Sequence, residues 1–139
     1  MDTNMFEYFD VTADIGVKVW GNSINELFEN AAIAVTSLMI DPARLKRNIT
    51  KEIFVEGNDI PSLLINWITE LLIIRDSEAI LFSSFKVNVS SDGRTLTAKI
   101  LGDHIIGSTI EMDIKAITYS LFELKELDNS FHVQFVLDI

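Results

Sequence analysis

The chain has 139 residues, 48% of them hydrophobic, and a formal net charge of −10 from 21 acidic and 11 basic residues. This length is enough to bury the core of one domain without metal or disulfide cross-links. The absence of cysteine excludes disulfides, zinc–thiolate sites and thiol nucleophiles. Because the negative charge repels phosphates, we expect no direct nucleic-acid binding. The charge suits a basic protein partner or a metal cation, or it serves solubility alone.

Residues 1–4 are polar and lack the basic segment and apolar run of a secretory signal peptide. The longest apolar stretch, residues 63–74, is interrupted by Asn66, Thr69 and Glu70 and is too short to span a bilayer. We therefore expect a cytoplasmic protein with no membrane partner, built as a single domain over residues 1–139.

The pattern near the N-terminus predicts two short strands, at residues 6–9 and 16–20. Asp10 and Asp14 lie between them. Two carboxylates at a chain bend are the kind of ligand that calcium or magnesium requires. The alternative is that both aspartates only stabilise the turn.

The C-terminal run offers a second acidic feature. Residues 131–138 alternate, with Phe135 and Leu137 on one face of a predicted strand and Asp138 on the other. The carboxylate of Asp138 lies beside the terminal carboxylate of Ile139. If the first and last strands share one sheet, the acidic oxygens of both chain ends converge; otherwise Asp138 is simply solvated.

Two amphipathic helices are predicted in the first half of the chain. Ser23 and Glu26 have the spacing of a capping box, and an apolar stripe at helical spacing follows until Pro42. A second helix begins after Asp59, and Trp67 lies on its apolar stripe, where a core role is expected. A basic linker and a strand at residues 51–56 separate the helices; the linker's basic residues are Arg44, Lys46 and Arg47.

The second half is predicted to be almost entirely strand. Residues 80–89 and 95–101 form a hairpin, residues 109–124 a long strand, and residues 131–138 the last strand. The element order is therefore ββαβαββββ. This order predicts an α+β fold in which the two helices pack on antiparallel sheet.

Motifs of several enzyme classes are missing from the sequence. The six glycines make no phosphate-binding loop, and there is no GxSxG or HxxxH motif. His104 and His132 are isolated, and a lone histidine is more often a surface residue than a catalytic one. Lys115 interrupts an apolar run; it either faces the acidic residues and keeps them ionised or simply points to solvent.

Taken together, the chain resembles the archease family over essentially its whole length. The similarity rests on residues 9–16, 25–32, 63–72, 114–119 and 135–139. The sequence differs where family members commonly carry histidine, because it has Val11 and Ser120 at those positions.

The resemblance implies an archease-like domain that acts as a non-enzymatic cofactor of an RtcB-type tRNA-splicing RNA ligase. Such proteins promote guanylylation of the ligase histidine and multiple turnover. The resemblance assigns Asp14, Asp138 and Ile139 to a divalent metal, usually calcium, and ties Lys115 to activity. It implies no small-molecule substrate. Two other functions remain open from the sequence: a metal-independent, chaperone-like acidic scaffold and, less favoured, a metal-dependent phosphoester hydrolase.

Overall fold

The computed structural model describes residues 5–105 and 110–139. This part of the chain folds into seven strands, two α-helices and a short 3-10 helix at Pro42–Arg44. In chain order the strands and α-helices are β1 (Phe6–Val11), β2 (Asp14–Gly21), α1 (Ile24–Met39), β3 (Ile49–Glu56), α2 (Ile60–Glu78), β4 (Ile80–Val89), β5 (Thr95–His104), β6 (Ala116–Leu127) and β7 (Ser130–Asp138). The predicted α+β class and element order are confirmed.

The described strands form two antiparallel sheets. The first has the order β1-β2-β7-β6, and the second has the order β3-β5-β4. The last strand of the chain therefore inserts beside β2, so the N-terminal hairpin and the C-terminus belong to the same sheet. Alternation along β2 and β7 gives this sheet an inner face toward the core and an outer face away from it.

Helix α1 joins the two sheets because it packs against both β2 and β4. Its first turn begins where the sequence predicts, since the Ser23 side chain accepts a hydrogen bond from the Glu26 backbone N–H at 3.0 Å. The other half of the cap is made to Asn22, whose N–H donates to Glu26 Oε1 at 3.4 Å. Leu27 and Phe28 on its inner side are completely buried.

Helix α2 is fixed at both ends by local geometry. Asp59 and Ser62 form a capping box at its start, and Ala79 ends it in a left-handed conformation with φ 55°. Trp67 is completely buried, and its indole N–H donates to the carbonyl of Phe28 at 3.0 Å. The tryptophan predicted as a core residue is thus confirmed as one, and it ties α2 to α1.

The predicted strand at residues 109–124 is the main correction to the fold. Thr109 lies outside the described residues, residues 110–115 are not strand, and β6 begins only at Ala116. Contacts with other elements hold this segment: the Glu111 N–H donates to the Met39 carbonyl at 2.8 Å, and Ile114 is completely buried. This apolar run is therefore held by α1 and by its buried Ile114 side chain, and it becomes strand only at Ala116.

Candidate metal and partner site

Register in the four-stranded sheet brings the two chain ends together. Asp14 is the first residue of β2 and pairs with Val11 across the hairpin. The next residue, Ile15, pairs with Leu137 in β7. Continuing this antiparallel register by one residue sets Asp14 opposite Asp138, with both side chains on the outer face. The predicted convergence of Asp14 and Asp138 at one corner of the sheet therefore follows from the observed pairing.

Asp10 does not join this corner, contrary to the prediction that both hairpin aspartates could contribute. Asp10 lies directly opposite Ile15, and residues that are directly opposite share a face. Because Ile15 and Asp14 are neighbours in β2, the side chain of Asp10 lies on the opposite face of the sheet from Asp14. The two-residue turn at Thr12 and Ala13 sets this register, and Ala13 has a positive φ of 62°. Although Asp10 and Asp14 are only four residues apart in sequence, the hairpin therefore places their side chains on opposite faces of the sheet.

Lys115 reaches the same corner through its backbone. Its N–H donates to the carbonyl of Asp138 at 2.8 Å. The side chains of Lys115, Asp138 and Ile139 are all exposed. Within residues 5–105 and 110–139, no ion pair joins the Lys115 ammonium to either aspartate. The structure therefore places Lys115 beside the acidic corner without a fixed charge contact.

Arg75 holds the segment that carries Lys115. The sequence alone did not predict this role. Its side chain is 11% exposed, and its Nη1 donates to the carbonyl of Ile114 at 2.7 Å. The same guanidinium pairs with Asp76 at 2.9 Å and lies 3.8 Å from Asp113. The spacing along α2 could have indicated this role, because Arg75 follows the buried Leu71 by one helical turn and so lies on the same side of the helix.

The donor set at the corner consists only of oxygen. Two side-chain carboxylates and the main-chain or terminal oxygens of Ile139 suit a hard cation and disfavour zinc. Among the described residues, no group of three His, Cys, Asp or Glu side chains lies close enough to share a metal ion. A cation held by these residues would therefore need its remaining ligands from water or from a partner.

Neither histidine lies at this corner. His132 is on the outer face of β7, six residues before Asp138, and its Nε2 is 2.9 Å from the Ser130 hydroxyl. It lines a groove of about 410 Å³ with Trp20, Lys18 and Lys125. His104 is the exposed last residue of β5 in the other sheet. Neither histidine is therefore placed to act as a general base beside Asp14 and Asp138.

The archease protein family matches residues 6–139 of the chain. The chain belongs to this family. The archease of Sulfurisphaera tokodaii is 38% identical over 136 residues, which cover 96% of this chain and 98% of the relative. The archease of Methanothermobacter thermautotrophicus is 37% identical over 137 residues, with the same coverage.

Two solved structures resemble this archease. The solution structure of protein 1598 from Methanobacterium thermoautotrophicum has a TM-score of 0.87 and 36% identity, covering 99% of this chain and 100% of that one. The crystal structure of an archease from Thermotoga maritima, described as a possible chaperone, has a TM-score of 0.63 at 17% identity. It covers 94% of both chains, and at this identity it supports the fold alone.

Val11, one of the two positions at which the resemblance led us to expect histidine, lies on the outer face near Asp14. Val11 is the direct cross-strand partner of Asp14, on the same face. An apolar side chain therefore stands next to the carboxylate. Neither described helix of this archease combines the length and apolar character that crossing a membrane requires.

Proposed function

We propose that this archease is a non-enzymatic accessory protein that binds a divalent cation, calcium in preference, and activates an RtcB-type RNA ligase. The observation that carries the proposal is the β2–β7 register, which sets Asp14 opposite Asp138. The ligase enters the proposal as the partner that the resemblance to the archease family implies. A cytoplasmic location belongs to the same proposal.

Asp14, Asp138 and the main-chain or terminal oxygens of Ile139 would hold the cation. The bound ion would neutralise the acidic corner and link the N-terminal hairpin to the last strand. The proposed role of Lys115 is to present its ammonium to the ligase, because the side chain is exposed and its backbone is fixed to Asp138 at 2.8 Å. Arg75 supports this role by holding the carbonyl of Ile114.

The direct test is calorimetric titration of calcium and magnesium into metal-stripped protein. The wild type is expected to bind calcium with saturation, and Asp14→Asn to lose most of that binding because one of two side-chain carboxylates is gone. Asp10→Asn is a matched control, since it removes the same charge from the same hairpin on the opposite face. Equal losses in both variants would show a general charge effect and contradict the assigned site.

The second half of the proposal is tested with the ligase. A folded Asp14→Asn, Asp138→Asn double variant should stimulate ligase guanylylation far less than the wild type at the same calcium concentration. Lys115→Met should bind calcium normally and still stimulate poorly, which separates cation binding from ligase contact. Unchanged stimulation by the double variant would refute the metal-dependent mechanism.

A metal-independent scaffold is the second candidate function, and exposed apolar side chains on β6 favour it. Tyr119 and Leu121 are each 56% exposed, and Leu127 is 46% exposed. Apolar residues exposed on one strand are typical of surfaces that contact other proteins. Ligase stimulation that survives a chelator would support this function over the metal-dependent one. A fall with added salt would assign the contact to the acidic surface, and insensitivity to salt would assign it to the apolar side chains of β6.

A further inference from the structure

Strand β3 presents an open edge. The N–H of Gly57, the residue after β3, donates to the carbonyl of Arg94 at 2.9 Å. Arg94 directly precedes β5, so this N–H points toward β5. Because backbone groups alternate in direction along a strand, the N–H and C=O groups of even-numbered residues point away from β5. Asn66 of α2 confirms this direction, since its amide donates to the outward carbonyl of Glu56 at 2.8 Å.

Three further residues on this edge offer unpaired backbone groups. Thr50, Glu52 and Phe54 point outward by the same alternation, and among the described strands β3 pairs only with β5. Within the described part of the chain, their outward N–H and C=O groups have no hydrogen-bond partner. Unpaired edge groups of this kind are a template for an additional strand.

The opposite edge of the same sheet is blocked. On β4, the N–H of Val87 donates to Glu29 Oε2 at 2.9 Å, and the N–H of Val89 donates to Asn25 Oδ1 at 2.8 Å. Both acceptors are side chains of α1. The protein therefore caps one edge of this sheet with its own side chains and leaves the other edge available.

Exposed apolar side chains flank the open edge on both faces of the sheet. Phe54 is 60% exposed on the outer face. On the inner face, α2 runs along β3, because Asn66 contacts Glu56 and Glu78 pairs with Lys51 at 2.8 Å. Ile73 lies two helical turns after Asn66 on the same side of α2 and is 51% exposed. An added strand would cover Phe54 on one face and Ile73 on the other.

The charge near the beginning of β3 is opposite to that of the whole protein. Arg44, Lys46 and Arg47 are all exposed and lie within four positions just before the strand. The chain as a whole carries a formal net charge of −10. This cluster is complementary to acidic residues of a partner. In an antiparallel addition, the residues beside the start of β3 follow the added strand in its own sequence.

We propose that the free edge of β3 binds an extended segment of a partner protein as an added antiparallel strand, with apolar residues at alternate positions followed by acidic residues. Main-chain hydrogen bonds to Thr50, Glu52 and Phe54 fix its register. Its apolar side chains pack on Phe54 at the outer face, and the side chains at the intervening positions lie beside Ile73 at the inner face. The site is on the three-stranded sheet and is independent of the proposed metal corner.

Amide hydrogen exchange of the labelled protein, followed by NMR, tests the proposal. The probe is a synthetic peptide of about nine residues, long enough to span the edge, with alternating threonine and valine followed by three aspartates. In the free protein the amides of Thr50, Glu52 and Phe54 should exchange fast and those of Lys51 and Ile53 slowly. Saturating peptide should slow the even-numbered amides by about tenfold or more.

Two matched comparisons identify strand addition as the cause. Glu52→Pro removes an outward N–H without removing a β3–β5 hydrogen bond, whereas Glu52→Ala removes the same charge and keeps the N–H. Only the proline variant should weaken peptide binding, by about tenfold. If the proline variant does not fold, a second peptide takes over its role in the test. This peptide has the same sequence, is N-methylated at the amides that would face β3, and should not bind the wild-type protein.

Three results would overturn the proposal. One is peptide binding that leaves the even-numbered amides of β3 unprotected. A second is equal affinity of the N-methylated peptide. The third is protection of these amides in the absence of peptide, if that protection increases with protein concentration. Such a result would identify a second copy of this chain as the occupant. A peptide with its aspartates placed first should bind more weakly, and equal binding would contradict the antiparallel orientation.

Discussion

Asp10 and Asp14 illustrate how a single backbone turn assigns function to individual residues. Both belong to one hairpin, yet Asp14 lies opposite Asp138 by extension of the β2–β7 register, and Asp10 pairs with Ile15 on the other face. The positive φ of Ala13 produces the two-residue turn that sets this pairing. A one-residue slip of β1 against β2 would move Asp10 to the face of Asp14.

Tyr8 gives a pH-dependent prediction at the same scale. Burial raises the pKa of Tyr8 to about 12 from 10.0, although 38% of the residue is exposed, and its hydroxyl donates to the Ala34 carbonyl at 2.7 Å. Because the unfolded chain ionises first, the stability contributed by the neutral phenol is complete below pH 10.0 and is lost as pH rises toward about 12.

The free energy of unfolding in urea, measured at about pH 9 and about pH 11.5, tests this effect. Tyr8→Phe should lose less stability between these pH values than the wild type, because it has no phenol to ionise. Tyr119→Phe, at a residue that is 56% exposed, is the control and should behave as the wild type does. Identical alkaline losses in all three proteins would contradict the prediction.

At the scale of elements, α2 fixes the position of the segment before β6. The carbonyl of Ile114 accepts from Arg75 Nη1 at 2.7 Å, and Ile114 itself is completely buried. Removing the donor leaves a carbonyl in an apolar environment without a partner. The segment also contains Lys115, so its geometry and the proposed contact with the ligase depend on one arginine of the preceding helix.

Arg75→Met should therefore lower the free energy of unfolding by about 1–3 kcal/mol, which is the usual cost of an unsatisfied buried group. It should also reduce stimulation of the ligase, because one of the contacts that position Lys115 is lost. Arg94→Met changes an exposed arginine in a turn and should stay within about 0.5 kcal/mol of the wild type. Similar unfolding free energies for the two variants would refute the positioning role of Arg75.

At the scale of the whole molecule, the proposed cation would connect residues that are far apart in sequence. Asp14 belongs to the N-terminal hairpin and Asp138 to the final strand, and β2 and β7 meet only in the folded sheet. Since an unfolded chain does not bring these carboxylates together, the proposed cation would bind the native state preferentially. Calcium should therefore stabilise the protein as the ligand concentration rises above its Kd.

Thermal unfolding with and without calcium measures this linkage. At a calcium concentration of about 100 times Kd, the gain should be about 2.7 kcal/mol for the wild type and much smaller for Asp14→Asn. Asp10→Asn should retain the full gain. A calcium-dependent shift of equal size in both variants would mean that calcium acts on the general negative charge.

The local sequence patterns were sufficient for the elements themselves. Capping residues Ser23 and Asp59 and the apolar stripe around Trp67 each depend on neighbouring positions, and they were predicted correctly. In β7 the alternation holds from His132 to Phe135, but Val136 on the outer face is buried as well. Residues 110–115 could not be predicted in this way, because distant groups hold their backbone. An apolar run that crosses between elements has the same composition as a strand.

The sequence by itself determined the class of fold, the order of its elements and the presence of acidic residues at both chain ends. Tertiary structure alone decided that Asp14 rather than Asp10 lies opposite Asp138, that Arg75 holds the segment of Lys115, and that β3 has a free edge. The physical reason is that capping and periodicity act over a few residues, whereas sheet order and register depend on the packing of segments far apart in the chain.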